Sequence, residues 1–268
     1  MSRPRNYQTE TIIIKKTKLG EADRIITLYT PHLGKVQAVA RGVRRPRSKM
    51  SGHLELLTHS LVSLARGKNI DTVTGTQTID SFLPLKSDLK LASYALYATE
   101  LVNQFGAENL ENQPLFELLL QTLHRLQSGE DNELVLRYFE IHLLNETGYR
   151  PQLGQCVSCH ARLEAVTNSF SPRAGGLLCP ACHQGQSGYP LSADAQKVLL
   201  LLQNNDFSAA SGLKIDAVLS RQLEMVIRNY IRYLLEREIR SAAWLDALRE
   251  QADDIQIRAY SRATPTKA

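Results

Sequence analysis

Four cysteines, the full complement of the chain, stand at Cys156-Val157-Ser158-Cys159 and Cys179-Pro180-Ala181-Cys182, with nineteen residues between the pairs. A Cys-x-x-Cys turn presents two sulfurs from one tight loop, and two such loops facing each other complete a tetrahedron around Zn²⁺. The thiols give up protons to the metal, so binding energy becomes folding energy for a segment too small for its own core. Four protein ligands leave no position for water, so the expected role of the zinc is structural. Disulfides are the first competitor, but they belong to oxidising compartments and shorter secreted scaffolds. Haem is the second, because Cys156–His160 and Cys179–His183 both match Cys-x-x-Cys-His. Against it, covalent haem attachment normally takes place outside the cytoplasm, and three methionines offer little axial sulfur. A redox dithiol is the third, and neither pair shows a strand-to-helix context. We read Cys156, Cys159, Cys179 and Cys182 as the zinc ligands, with His160 and His183 as knuckle residues at the surface, a substitute ligand being the alternative for either.

The second chemistry is cationic. Net charge is +5, yet residues 1–52 hold twelve Lys or Arg against three acids, a local +9 that leaves −4 for everything after. Charge gathered in one segment of 268 residues is the footprint of a polyanion binder rather than of an evenly solvated surface. Its densest part is the loop Arg41-Gly42-Val43-Arg44-Arg45-Pro46-Arg47-Ser48-Lys49, kept irregular by glycine and proline. Each guanidinium can fork two donors to a phosphate, and each phosphate neutralised releases counterions. Aromatic residues are scarce here: Tyr7, Tyr29 and Phe82 are all that residues 1–85 contain. Base-stacking platforms need such rings, so backbone charge should dominate and sequence discrimination should be weak. Tyr7 and Tyr29 are expected in the core.

Something rigid must present this loop. Thr9–Ile14, Arg24–Thr30, Lys35–Ala40, Ser60–Ala65 and Ile70–Ile79 read as five short strands joined by hairpin signals such as Pro31-His32-Leu33-Gly34. That count suggests a small barrel, an OB-fold first, with an SH3-like barrel fitting the same pattern. From Asp88 the period becomes helical: 88–105, 114–126 and 132–147, the last apolar nearly all round over Leu134–Leu144 and stopped by Gly148. Beyond the cysteines, Ser192 caps a helix through Leu202, and Asp216–Arg249 forms one or two more. The expected class is α+β and multidomain. Residues 1–82 form the basic barrel, 83–148 and 190–250 one helical domain, 149–189 an inserted four-cysteine zinc ribbon, and 251–268 a frayed tail. No secretory signal and no membrane-length apolar run is present, so the expected location is cytoplasmic, without membrane contact.

No phosphate-cradling glycine loop and no Gly-x-Ser-x-Gly elbow is present. Glu21 and Asp23 read as a salt-bridged turn, and Lys214-Ile215-Asp216-Ala217 as a chance echo of a nucleotidyl-lysine motif. The chain therefore reads as a binding protein, not an enzyme. The main rival reading is a zinc-ribbon and barrel protein acting on RNA.

Several segments together resemble the bacterial RecO family of recombination mediators. They are Gly20-Glu21-Ala22-Asp23-Arg24, Thr30-Pro31-His32-Leu33-Gly34, Arg41-Gly42-Val43-Arg44-Arg45 with Ser48, and Glu146-Thr147-Gly148-Tyr149-Arg150-Pro151 before the first cysteine pair. Phe170-Ser171 and Gly175-Gly176-Leu177-Leu178-Cys179 lead into the second. One departure is His160, where many ribbons have glycine. The resemblance implies an OB-fold, binding of single- and double-stranded DNA, and annealing of complementary strands. It also implies partnership with RecR, with the tail of single-strand-binding protein through the helical domain, and indirectly with the RecA filament. The expected DNA contacts are Lys15, Lys16, Lys18, Arg24, Lys35, Arg41, Arg44, Arg45, Arg47 and Lys49.

Overall fold

Alternating aliphatic positions organise the front of the chain in the computed structural model, which describes residues 5–248; the expected 251–268 tail lies outside the described residues. Strands β1 (Asn6–Leu19), β2 (Asp23–Thr30), β3 (Gly34–Ala40), β4 (His59–Ala65) and β5 (Asp71–Asp80) close into a barrel in the order β1-β2-β3-β5-β4. All neighbours are antiparallel except β3 and β5, which pair in parallel through Ala38–Asp71 and Val39–Thr72. This order and its single parallel closure are those of an OB-fold, which decides against an SH3-like barrel. Ile13, Ile26, Leu28, Val36, Ala38, Val62, Leu64 and Val73 fill the interior. Burying such a side chain contributes roughly 1.5–3 kcal/mol. Strand β1 does not stop at Ile14 as its β-branched run suggests. It bulges between Ile13 and Lys15 and runs on to Leu19, pairing with β4 through its first half and β2 through its second. The bulge bends the strand so that one segment serves two neighbours.

A short helix α1 (Leu83–Ser87), with Pro84 in its first turn, leads into α2 (Leu89–Phe105), α3 (Gln113–Gln127) and α4 (Asn132–Glu146). The caps are local: the side chains of Asp88, Asn112 and Asp131 accept from the backbone N–H groups of Leu91, Leu115 and Leu134. Helix α4 is central and buried on every side from Leu134 to Leu144, His142 being half-buried. Helices α6 (Ala193–Asn204) and α7 (Ala217–Leu235) follow the cysteine segment and pack on α4. Asp216, within the nucleotidyl-lysine echo, is the cap of α7, accepting from Leu219 N–H at 2.8 Å. The long helical region breaks at Glu236, which takes φ 53°, and resumes over 240–248. Among the described residues no helix is long and apolar enough to cross a membrane.

Between α4 and α6 lie a one-turn helix α5 (Pro180–His183) and a three-stranded sheet, β6 (Asn168–Ser171), β7 (Gly176–Leu178) and β8 (Tyr189–Leu191), ordered β7-β6-β8. Its apolar residues Phe170, Leu177 and Leu191 belong to the same core as the helices, and the Phe170 ring meets Tyr230 of α7 at 5.3 Å. The barrel is joined as firmly. Ile12, Ile14 and Tyr29 face the helices, while Lys35 N–H donates to Ala107 carbonyl at 3.1 Å and Asn109 N–H to Lys35 carbonyl at 3.1 Å. Gly34 permits this approach: its φ is +58°, and an added Cβ would lie 2.1 Å from the Leu110 carbonyl oxygen.

Candidate nucleic-acid interface and metal centre

The basic loop after β3 is irregular but not loose. Asp23 accepts Gly42 N–H at 2.7 Å, Arg44 N–H donates to Ala22 carbonyl at 2.9 Å, and Arg44 Nη1 donates to Gly20 carbonyl at 3.1 Å. Arg45 N–H closes a turn onto Gly42 carbonyl, and Val43 is buried into the barrel end. The loop is thus stitched to the β1–β2 turn. Asp23 serves that purpose by accepting a backbone N–H, in place of the salt-bridged turn expected of it. Arg41, Arg44, Arg45, Arg47 and Lys49 remain exposed. Their entropy of ordering falls mainly on side chains, because the backbone is already held.

The remaining cations divide by strand alternation. Lys15 pairs with Thr27, on the outer face of the barrel, whereas Lys16 pairs with Ile26 and Lys18 with Arg24 on the side facing the barrel mouth. Arg24, Arg44 and Arg45 line one recess of about 310 Å³ there, with Glu55 at its edge. Lys16 is committed to an ion pair with Glu55. Lys35 sits apart from this cluster, at the barrel–helix junction, donating to Asn103 carbonyl in the last turn of α2 at 2.9 Å. Burial pushes its ammonium pKa down, Glu108 opposes that, and Lys15 and Arg237 reinforce it. Lys35 is therefore placed as a cation on a helix C-terminus. Arg66, whose guanidinium covers the Tyr7 ring at 4.5 Å, and Lys68 lie in the β4–β5 loop, which the sequence marks as a turn, and neither is among the expected DNA contacts. Arg237, likewise outside that set, reaches Gln104 of α2 through a hydrogen bond. Tyr29 is fully buried, and Tyr7 donates its hydroxyl to Asp71 at 2.5 Å.

The four cysteines converge. Their Sγ atoms all lie within 4.8 Å of one another, with Cys159 and Cys179 at 3.9 Å. A regular tetrahedron with metal–sulfur bonds of about 2.3 Å has edges of about 3.8 Å, so the spacing fits a four-thiolate metal ion. Cys156, fully buried, also accepts Cys179 N–H at 3.4 Å. Burial works against its thiolate, but backbone N–H groups of Cys159, Cys179 and Ser158 outweigh this and bring its pKa to about 6. Cys182, hydrogen-bonded to the Cys179 and Cys159 sulfurs, is pushed up to about 12. Four thiolates at this distance would repel one another strongly without a cation among them. Convergence on one point leaves no place for two separate haem attachments, and all four thiols are unbridged. The second pair, contrary to the expectation from sequence, does stand in a strand-to-helix turn, Cys179 following β7 and occupying the N-cap position of α5. His160, where ribbons often carry glycine, adopts φ +60° and donates its N–H to Cys156 carbonyl at 2.9 Å. The left-handed turn is kept with a histidine in it, outside the sulfur cluster.

Two family models cover this architecture. Residues 1–82 match the N-terminal model of recombination protein O, and residues 86–243 match the C-terminal one. The chain belongs to the RecO family. Among its relatives is a DNA repair protein RecO from Dehalococcoides mccartyi strain CBDB1, 49% identical over 249 residues, covering 93% of this chain and 98% of that one. The RecO of Roseiflexus sp. strain RS-1 is 43% identical over 249 residues, covering 92% and 88%. That of Symbiobacterium thermophilum is 35% identical over 249 residues, covering 91% and 98%. A RecO chain of this kind is a DNA repair and recombination protein whose cysteine cluster could hold a metal ion.

Proposed function

We propose that the protein binds single- and double-stranded DNA, anneals complementary strands and, with RecR, helps load RecA onto DNA coated by single-strand-binding protein. The observation that carries this reading is the Arg41–Lys49 loop, fastened to the β1–β2 turn with its guanidinium groups exposed beside Arg24. Fixed cations at the barrel mouth neutralise phosphates of both strands, so their mutual repulsion falls and base pairing can zip them together. Pairing supplies the free energy, and the protein makes and breaks no covalent bond in this role. The contacts are Lys15, Lys18, Arg24, Arg41, Arg44, Arg45, Arg47 and Lys49. Lys16 and Lys35 act through the scaffold, holding Glu55 and the end of α2. Cys156, Cys159, Cys179 and Cys182 hold Zn²⁺, which cross-links the segment between α4 and α6. The tail of single-strand-binding protein docks on the helical domain, and the protein works in the cytoplasm at the nucleoid.

Charge reversal tests the reading. The double variant Arg44→Glu, Arg45→Glu alters two exposed side chains and removes one loop tie, the Arg44 Nη1 bond to Gly20 carbonyl. The Asp23 and Arg44 backbone ties stay, so its thermal unfolding should stay close to the parent's. Its rate of pairing complementary oligonucleotides coated with single-strand-binding protein should fall to the spontaneous rate. Undiminished annealing, or a preference for structured RNA over single-stranded DNA in competition, would overturn it.

A further inference from the structure

The barrel grips phosphates but has no ring to offer a base. Tyr29 and Phe82 are fully buried, and the Tyr7 ring lies under Arg66 with its hydroxyl on Asp71. Single-strand binders usually combine a cationic groove with an exposed aromatic face. Following the cations across the outer face of β1–β2–β3 leads from Lys15 to Lys35, whose Nζ reaches Asn103. The next residue of α2, Gln104, accepts a hydrogen bond from Arg237, just past the end of α7. Arg237 lines a groove of about 730 Å³ together with Tyr189, Arg232 and Tyr233. Tyr233 is 49% exposed, and among the described residues its ring has no aromatic or cationic partner. Glu238, on the same groove, is paired to Arg232 at 3.2 Å, which leaves Glu236 to set against Arg237.

Resting on the nucleic-acid reading above, we propose that a single strand leaving the barrel crosses onto the helical part, with a phosphate on Arg237 and a base stacked on Tyr233. The strand then spans the barrel–helix junction, and the stacking that the barrel lacks is supplied from the end of α7. Stacking on one ring does not depend on base identity, because every base has a π-face.

The test uses the full chain with two oligonucleotides of equal phosphate count, one of thymidines and one abasic. Tyr233→Ala should weaken binding of the thymidine strand by roughly 5- to 100-fold and leave the abasic strand unchanged. Tyr233→Phe, which keeps the ring, should bind as the parent does. Arg237→Gln should weaken both strands and reduce the slope of log affinity against log salt by about 0.7. Unchanged thymidine binding by Tyr233→Ala, or an equal loss on the abasic strand, overturns the proposal while the parent still binds and Arg44→Glu, Arg45→Glu does not. A parent protein that binds neither strand overturns the nucleic-acid reading itself.

Discussion

Asp23 offers a sharp test of how the basic loop works, because two physical effects of removing it have opposite signs. Its carboxylate accepts Gly42 N–H at 2.7 Å and so fixes the start of the Arg41–Lys49 loop. A hydrogen bond to a charged group contributes about 1.5–3 kcal/mol. Replacing Asp23 with Ala therefore shifts the loop toward disordered states by about that amount, and a site populated only in part binds proportionately less tightly. Against this, the change removes one negative charge from the proposed phosphate-binding region. At roughly 10 Å in water that is about 0.4 kcal/mol unscreened, and smaller still at physiological salt. Anchoring should win. Fluorescence anisotropy with a single-stranded oligonucleotide at about 0.15 M salt should show Asp23→Ala binding about 5- to 10-fold more weakly, since the two Arg44 bonds to Ala22 and Gly20 retain part of the loop. Asp23→Asn keeps an acceptor oxygen and loses the charge, so it should bind within about twofold of the parent. If Asp23→Ala binds more tightly than the parent, net charge governs the site and the fixed loop does not.

Chelation or Cys179→Ser should destabilise the segment between α4 and α6, exposing its sheet to protease, and metal analysis of the parent should find one zinc per chain; a Soret band or absence of metal would refute this. Gly34→Ala forces a Cβ to 2.1 Å from the Leu110 carbonyl at φ +58°, so it should cost about 3 kcal/mol in urea unfolding. Glu140 is fully buried, accepting from Arg137 Nη2 at 3.0 Å and from the Tyr97 hydroxyl at 2.6 Å. Glu140→Ala would strand a buried guanidinium at a cost of about 3–5 kcal/mol, and a loss below about 1 kcal/mol would show that water already reaches Arg137.

What the linear chain determined is what depends on neighbours in sequence. The Cys-x-x-Cys spacing dictates two sulfurs per turn, alternation in Arg24–Thr30 and Lys35–Ala40 dictates strands, and the period of Leu134–Leu144 dictates a central helix. Glycine and proline in Arg41–Lys49 dictate a loop. The fold decided the rest, because it depends on which elements touch. Lys15, Lys16 and Lys18 lie on a strand because β1 bulges after Ile13 and so serves two partners, which no local pattern records. Lys35 looks like its cationic neighbours in the sequence, yet packing of α2 against the barrel turns it into a junction tie. Lys16 likewise meets Glu55, thirty-nine residues away in sequence. Arg237 comes within reach of the barrel face only because α7 ends beside α2. Charge is written residue by residue, but whether a charge is free to meet a phosphate is settled by what folding brings beside it.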